Sequence, residues 1–264
     1  MKTFSLITGG TSGIGLEIAK KLAAQGQNLF LVYMSNDERA HNAKKLLESI
    51  NPNISIQLHK SNLSLKENAI SLKSQMREAF SDQKLAHFIS CHGRVSQALF
   101  VQKKLDSVLE MLNEHLLSNI ILTHSLLPDM CVQKFGRVLF LTSVSAHKIN
   151  RGQTDYSLSK AALENFVKSL TSEYFSRNIT FNCICSGLTN QTAQKYYSAS
   201  LQERVNPVPV EQVASLALYL LSQEASSISG AAYLIDSGYL CRNNNYDYQK
   251  LSFFSKNTAS EKEK

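Results

Sequence analysis

The chain has no run of about 18 apolar residues, so the sequence offers no membrane-spanning helix. It is sparing with glycine and proline, 11 and 4 in 264 residues, too few for a collagen or a low-complexity linker. Its five cysteines, Cys91, Cys131, Cys183, Cys185 and Cys241, are odd in number and widely spread. That pattern argues against a disulfide framework and for reduced thiols in the cytoplasm. Cys183 and Cys185 stand two apart in a strand-like stretch and would share a face. Cys91 and His92 could join them as metal ligands, but cysteine as a small buried residue is the preferred reading, and no metal is expected. The opening MKTFSLITGG has one lysine and an apolar run that is too short before Gly-Gly for a signal peptide; it reads as a buried first strand.

What is present is 43% hydrophobic and 19% charged, with a formal net charge of +7. A chain of this length buries roughly three quarters of its unfolded surface and needs no staple. The charge divides into +3 over residues 1–60, +2 over 61–241 and +2 over 242–264. This thin spread suits mild attraction of an anionic cofactor or an acidic partner, and no nucleic-acid motif accompanies it.

Apolar periodicity switches repeatedly along the chain. Residues 4–8 form a short apolar run before a glycine-rich turn. Ile14, Ile18 and Leu22 follow at helical spacing, with Gly26 as the stop. The continuous run NLFLVYM over 28–34 suits a strand covered on both faces. Further helices are expected over 37–50, 65–80, 105–131, 157–175 and 210–223, and strands over 54–59, 86–90, 137–142, 179–185 and 231–235. Seven strands separated by helices predict an α/β fold: one Rossmann-type, doubly wound domain with a seven-stranded parallel sheet. It should span residues 1–241. Residues 242–264 turn polar and read as a partly disordered tail.

Thr8-Gly9-Gly10-Thr11-Ser12-Gly13-Ile14-Gly15 lies between the first strand and the first helix. Glycines there permit a tight turn and close approach to a pyrophosphate, and the helix N-terminus adds free N–H groups and a favourable dipole. The alternative is a structural turn without ligand. Downstream stand a strand ending in Ser143, the run Tyr156-Ser157-Leu158-Ser159-Lys160, and Ser229-Gly230 leading to Ile235-Asp236-Ser237-Gly238. With these segments in order, the chain from residue 3 to about 238 resembles the short-chain dehydrogenase/reductase family. It is nearest in look to the bacterial 3-oxoacyl-[acyl-carrier-protein] reductases.

The candidate reacting groups are Ser143, Tyr156 and Lys160. Tyr156 and Lys160 share a helix face at i, i+4. Hydride addition to a carbonyl builds negative charge on oxygen; Tyr156 can deliver a proton, Lys160 should lower the phenol pKa, and Ser143 can hold the oxyanion. The resemblance implies that Gly9, Thr11, Ser12, Gly13, Ile14, Gly15, Ser35, Asn36, Asn62, Gly93, Gly187 and Leu188, with Tyr156 and Lys160, hold a nicotinamide cofactor.

Four positions depart from the family. Ser90-Cys91-His92-Gly93 replaces Asn-Asn-Ala-Gly, which loses the Asn pair that ties the central sheet. His115 aligns with a catalytic Asn that holds a relay water; imidazole can also relay protons, or it can merely pack. Ser186-Gly187 replaces Pro-Gly. Asn62 replaces an Asp and could still bond an adenine amino group. The second strand ends in Tyr33-Met34-Ser35-Asn36 with no acid before Asp37, which favours NADPH over NAD; Asp37 and Glu38 suit a helix start. Residues 187–208 form a long polar segment expected to cover the substrate, with Tyr196, Tyr197 and Leu201 on its apolar side.

The expected activity is NADPH-dependent ketoreduction of a 3-oxoacyl thioester or related biosynthetic ketone. The alternatives are an NAD-dependent alcohol dehydrogenase and a catalytically impaired cofactor-binding subunit. Lys134 and Arg177 align with a basic pair that docks acyl carrier protein. The helices over 105–131 and 157–175 and the last strand resemble the family's contacts in homodimers and homotetramers.

Overall fold

A computed structural model describes residues 2–196 and 206–241. The expected tail, Tyr197, Leu201 and the Tyr196 side chain lie outside what is described. The strands are β1 (Thr3–Thr8), β2 (Asn28–Tyr33), β3 (Ile56–Lys60), β4 (Lys84–Ser90), β5 (Gly136–Ser143), β6 (Ile179–Ser186) and β7 (Ala232–Ile235). They form one sheet in the order β3-β2-β1-β4-β5-β6-β7, with every pairing parallel. The order reverses between β1 and β4, where a doubly wound sheet opens a crevice at its carboxyl edge.

Alternate strand residues feed two cores. Leu6, Phe88, Phe140 and Phe181 pack on one side with Leu72, Leu122 and Val167. These belong to α3 (Lys66–Ala79), α5 (Ser118–Gln133) and α6 (Thr154–Tyr174). Ile7, Leu31, Ile89 and Ile184 pack on the other with Ile18, Leu47 and Val213. Those helices are α1 (Gly13–Ala24), α2 (Asp37–Ile50) and α8 (Val210–Leu221). Burial on both faces is why β2 and β5 carry the unbroken apolar runs over residues 29–32 and 138–141.

Two expectations need correction. The helix over 105–131 is interrupted: α4 (Leu105–Leu112) passes through a π turn at Asn113–Leu117 before α5 begins. The polar segment 187–208 contains α7 (Asn190–Tyr196). Its ends are closed by the bridge of Thr189 to Val208 and by Asn190 N–H donating to the Val208 carbonyl at 2.9 Å. Polar composition concealed a short helix with few buried residues.

Phe88 and Phe140 meet edge-on at 5.8 Å between ring centroids, and both are fully buried. Phe88→Ala should therefore cost about 3–5 kcal/mol, read as a lowered urea midpoint with an unchanged slope.

Candidate active site

β1 ends in the glycine turn, and α1 starts directly from it. Ser12 is the N-cap in extended conformation, and its hydroxyl makes no capping bond. The first-turn N–H groups of α1 are left for another acceptor. Gly15 must lack a side chain, because a Cβ there would sit 2.3 Å from the Gly9 carbonyl oxygen. At Gly13, with φ +56°, a Cβ would meet nothing nearer than Gln191 Oε1 at 3.9 Å. This open, N–H-lined cradle fits a pyrophosphate.

The three reacting groups assemble beside it. Ser143 ends β5, where its Oγ accepts from Ser145 N–H at 3.2 Å. Tyr156 and Lys160 lie in the first turns of α6. Lys160 Nζ is 5.6 Å from the Tyr156 ring centroid and donates to the Leu141 carbonyl at 2.8 Å. Burial pushes the Tyr156 phenol above its ordinary pKa, while a hydrogen bond with Ser143 pulls the other way. Burial also lowers Lys160 to about 8. The expected depression of the phenol by Lys160 is thus absent in this arrangement: the ammonium is directed at a carbonyl, and burial dominates.

His115 sits in the π turn, 1% exposed, with its ring edge-on to Tyr156 at 5.3 Å. Its Nε2 lies 3.1 Å from Arg94 N and 2.8 Å from Arg94 O. Nδ1 has no partner among the described residues. Burial, then the Lys160 charge, brings its pKa to about 2, so the imidazole stays neutral at ordinary pH. Gly93, at φ +130°, makes room for this ring; a Cβ there would lie 2.0 Å from His115 Cε1.

His92, singled out in the sequence only as a possible metal ligand and as part of the departure at residues 90–93, ties two segments together. Thr8 Oγ1 donates to its Nδ1 at 2.6 Å, and its Nε2–H faces the Glu114 carbonyl at 2.9 Å and Ser118 Oγ at 3.0 Å. The tie lost with the Asn pair is thus remade one position later. The available clue was an imidazole beside the substituted pair, opposite a threonine ending β1.

The remaining predicted positions are spread around the same edge. Ser35 is exposed after β2. Asn36 caps α2 by accepting from Arg39 N–H at 2.8 Å. Asp37 starts α2, pairs with Lys60 at 2.6 Å and accepts from the Tyr33 hydroxyl at 2.9 Å. Asn62 Oδ1 accepts from Ser64 N–H and Oγ–H at 3.1 and 2.8 Å. Thr11 is buried and Ile14 packs against the α1-side core. Gly187 N–H donates to Ile235 O, and Leu188 O accepts from Val208 N–H, just beyond β6. All five thiols are free. Among the described residues, the His, Cys and acidic ligand atoms that converge within 4.8 Å are those of His147, Glu164 and Cys185, not the set around Cys91 and His92. No helix of the described residues is long and apolar enough to cross a membrane.

A family model described as enoyl-(acyl carrier protein) reductase matches residues 9–240. The 3-oxoacyl-[acyl-carrier-protein] reductase of Aquifex aeolicus is 28% identical over 246 residues, 89% of this chain and 96% of that one. An uncharacterized oxidoreductase of Bacillus subtilis is 28% identical over 249 residues, 91% of this chain and 100% of that one. Among solved structures, acetoin dehydrogenase from Enterobacter cloacae superposes with a TM-score of 0.84 at 21% identity, covering 94% of this chain and 99% of that one. Fold and site together define an NAD(P)-dependent oxidoreductase acting on CH–OH and C=O groups. The chain belongs to the short-chain dehydrogenase/reductase family, on the side of the 3-oxoacyl-[acyl-carrier-protein] reductase-like members.

Burial lowers His87 and His92 to about 4, against an ordinary 6.5. Between those values the unfolded chain binds protons that the folded chain refuses. Their contribution is whole above about pH 6.5 and lost as pH falls towards 4, by at most about 1.4 kcal/mol per histidine per pH unit. Urea unfolding at about pH 7, 6 and 5 should show falling stability; a flat profile contradicts it.

Proposed function

We propose that the protein is an NADPH-dependent ketoreductase acting on a 3-oxoacyl thioester or a related biosynthetic ketone. The observation that carries this is the gathering of Ser143, Tyr156 and Lys160 at the carboxyl edge of β5 and the start of α6, at the same sheet edge as the glycine cradle. The cradle residues Gly9, Thr11, Ser12, Gly13, Ile14 and Gly15, with Gly93, Gly187 and Leu188, hold the dinucleotide, and Lys160 holds its ribose. The reduced nicotinamide supplies hydride when bound. Ser143 donates a hydrogen bond to the substrate carbonyl oxygen, and Tyr156 gives that oxygen its proton. NADPH is preferred because Asp37, the nearest acid after β2, is engaged by Lys60 and Tyr33. Ser35 and the Asn36 amide remain as donors to a 2′-phosphate.

Lys134 and Arg177 each precede one of the neighbouring strands β5 and β6, and Asn178 Nδ2 donates to the Lys134 carbonyl at 3.2 Å. That places two cations on one edge, suited to an acidic carrier protein. Exposed Leu117 and Leu158 lie at the ends of the two long helices, and Leu234 on the edge strand β7; these support a homodimer or homotetramer. Free thiols suit the cytoplasm. The neutral His115 and the turn of Lys160 towards Leu141 favour one second reading, a cofactor-binding subunit with impaired catalysis.

The test is oxidation of NADPH with acetoacetyl thioesters and a ketone panel. Tyr156→Phe should lose at least about 10²-fold in rate; an unchanged rate would refute the mechanism. Cofactor binding without turnover of any substrate would favour the impaired subunit. NADPH should bind at least about tenfold tighter than NADH, the size of one added phosphate contact.

A further inference from the structure

Residues 91–104, between β4 and α4, hold only a single 3₁₀ turn at Phe100–Gln102. They bury little apolar surface: Val95, Phe100 and Val101 are 58%, 59% and 89% exposed. Polar ties must therefore hold the stretch in place. Arg94 pairs with Glu110 at 2.6 Å and Glu114 at 3.2 Å. Ala98 N–H donates to the Gly152 carbonyl at 3.1 Å. Lys103 and Asp155 add a buried ion pair, their side chains 4% and 1% exposed. Lys103 Nζ also donates to Ser96 Oγ at 3.2 Å. Asp155 Oδ1 accepts in addition from Tyr156 N–H at 2.9 Å.

The two ends of this strap meet the neighbours of Tyr156. At the start, the Arg94 backbone bonds His115, the ring that packs on the phenol. At the end, Lys103 holds the residue immediately before Tyr156. Between the strap and residues 151–152 lies a shallow, open hollow of about 230 Å³ lined by Gln97, Ala98, Leu99, Arg151 and Gly152. A buried ion pair keeps its geometry only while both members are present, since removing one strands the other's charge.

We propose that Lys103 and Asp155 are a positioning pair that fastens residues 94–104 as the wall on the substrate side of Tyr156, so that the pair sets ketone binding rather than hydride transfer. This rests on the ketoreductase reading. The part of the substrate beyond its carbonyl lies along the open hollow that the strap borders.

The test compares Lys103→Met, Asp155→Asn, the double variant and Lys103→Arg in the full chain. Each charge-stranding single should raise ketone KM at least about tenfold, with kcat within about threefold and the NADPH Kd within about twofold. The double variant strands no charge and should recover most of the loss, as should Lys103→Arg. Amide hydrogen exchange over residues 95–102 should quicken in the singles and slow again in the double. Unchanged KM and exchange in the singles, or a double no better than either single, would overturn the pair's role. If no ketone is turned over, the ketoreductase reading fails, while the exchange measurement still decides whether the pair fastens the strap. A single that does not fold leaves the decision to the double variant and Lys103→Arg.

Discussion

At the carboxyl edge of the sheet, β1 is held to the π turn by one imidazole. His92, directly after β4, takes the Thr8 hydroxyl on one nitrogen and gives its N–H to the Glu114 carbonyl from the other. Everything at the site is referred to that junction. The glycine cradle is the continuation of Thr8, His115 is the residue after Glu114, and the Tyr156 ring packs on His115. Each bond is worth only about 1 kcal/mol net, but a buried hydroxyl or carbonyl left unpaired costs about 1–3 kcal/mol. The arrangement works in one protonation state, neutral with hydrogen on Nε2. Burial and the nearby Lys160 charge enforce it.

The same burial governs the reacting groups, and it opposes them. The phenol rises and the ammonium falls, so each moves towards its uncharged form. Lys160 donates to the Leu141 carbonyl at 2.8 Å. Burial thus outweighs the pairing of Tyr156 with Lys160 that the i, i+4 spacing brings about. Ser143 is the one partner that already favours the ionised phenol.

The fold was legible where one physical cause dominates. Burial on both faces made β2 a continuous apolar run, and the start of α2 was readable from Asp37 and Glu38, acids that suit a helix dipole. The cradle was legible because close packing at Gly15 leaves no choice of residue. The rest depends on contacts between distant segments. Nothing in Leu112-Asn113-Glu114-His115 announces a π turn; what favours it is a ring that needs the space over Gly93, 22 positions away. That Ser64 folds back to bond Asn62 is likewise not written in the chain. Lys103 and Asp155 are 52 positions apart, and each alone reads as a solvated charge.

The departures from the family also bear on whether the site is spent. Substitutions accumulated without selection would leave scattered polar groups without partners. Here they interlock. His92 has partners on both nitrogens, and the carbonyl it reaches belongs to the residue before His115. His115 in turn fills the space left by Gly93 and bonds the backbone of Arg94, whose guanidinium returns to Glu114. One nitrogen in this set, His115 Nδ1, lacks a partner among the described residues. It lies on the ring that packs against Tyr156, in the part of the site where a reacting ligand would be bound. The replacements thus support one another through shared hydrogen bonds around the π turn, with the open nitrogen on the phenol side of the ring.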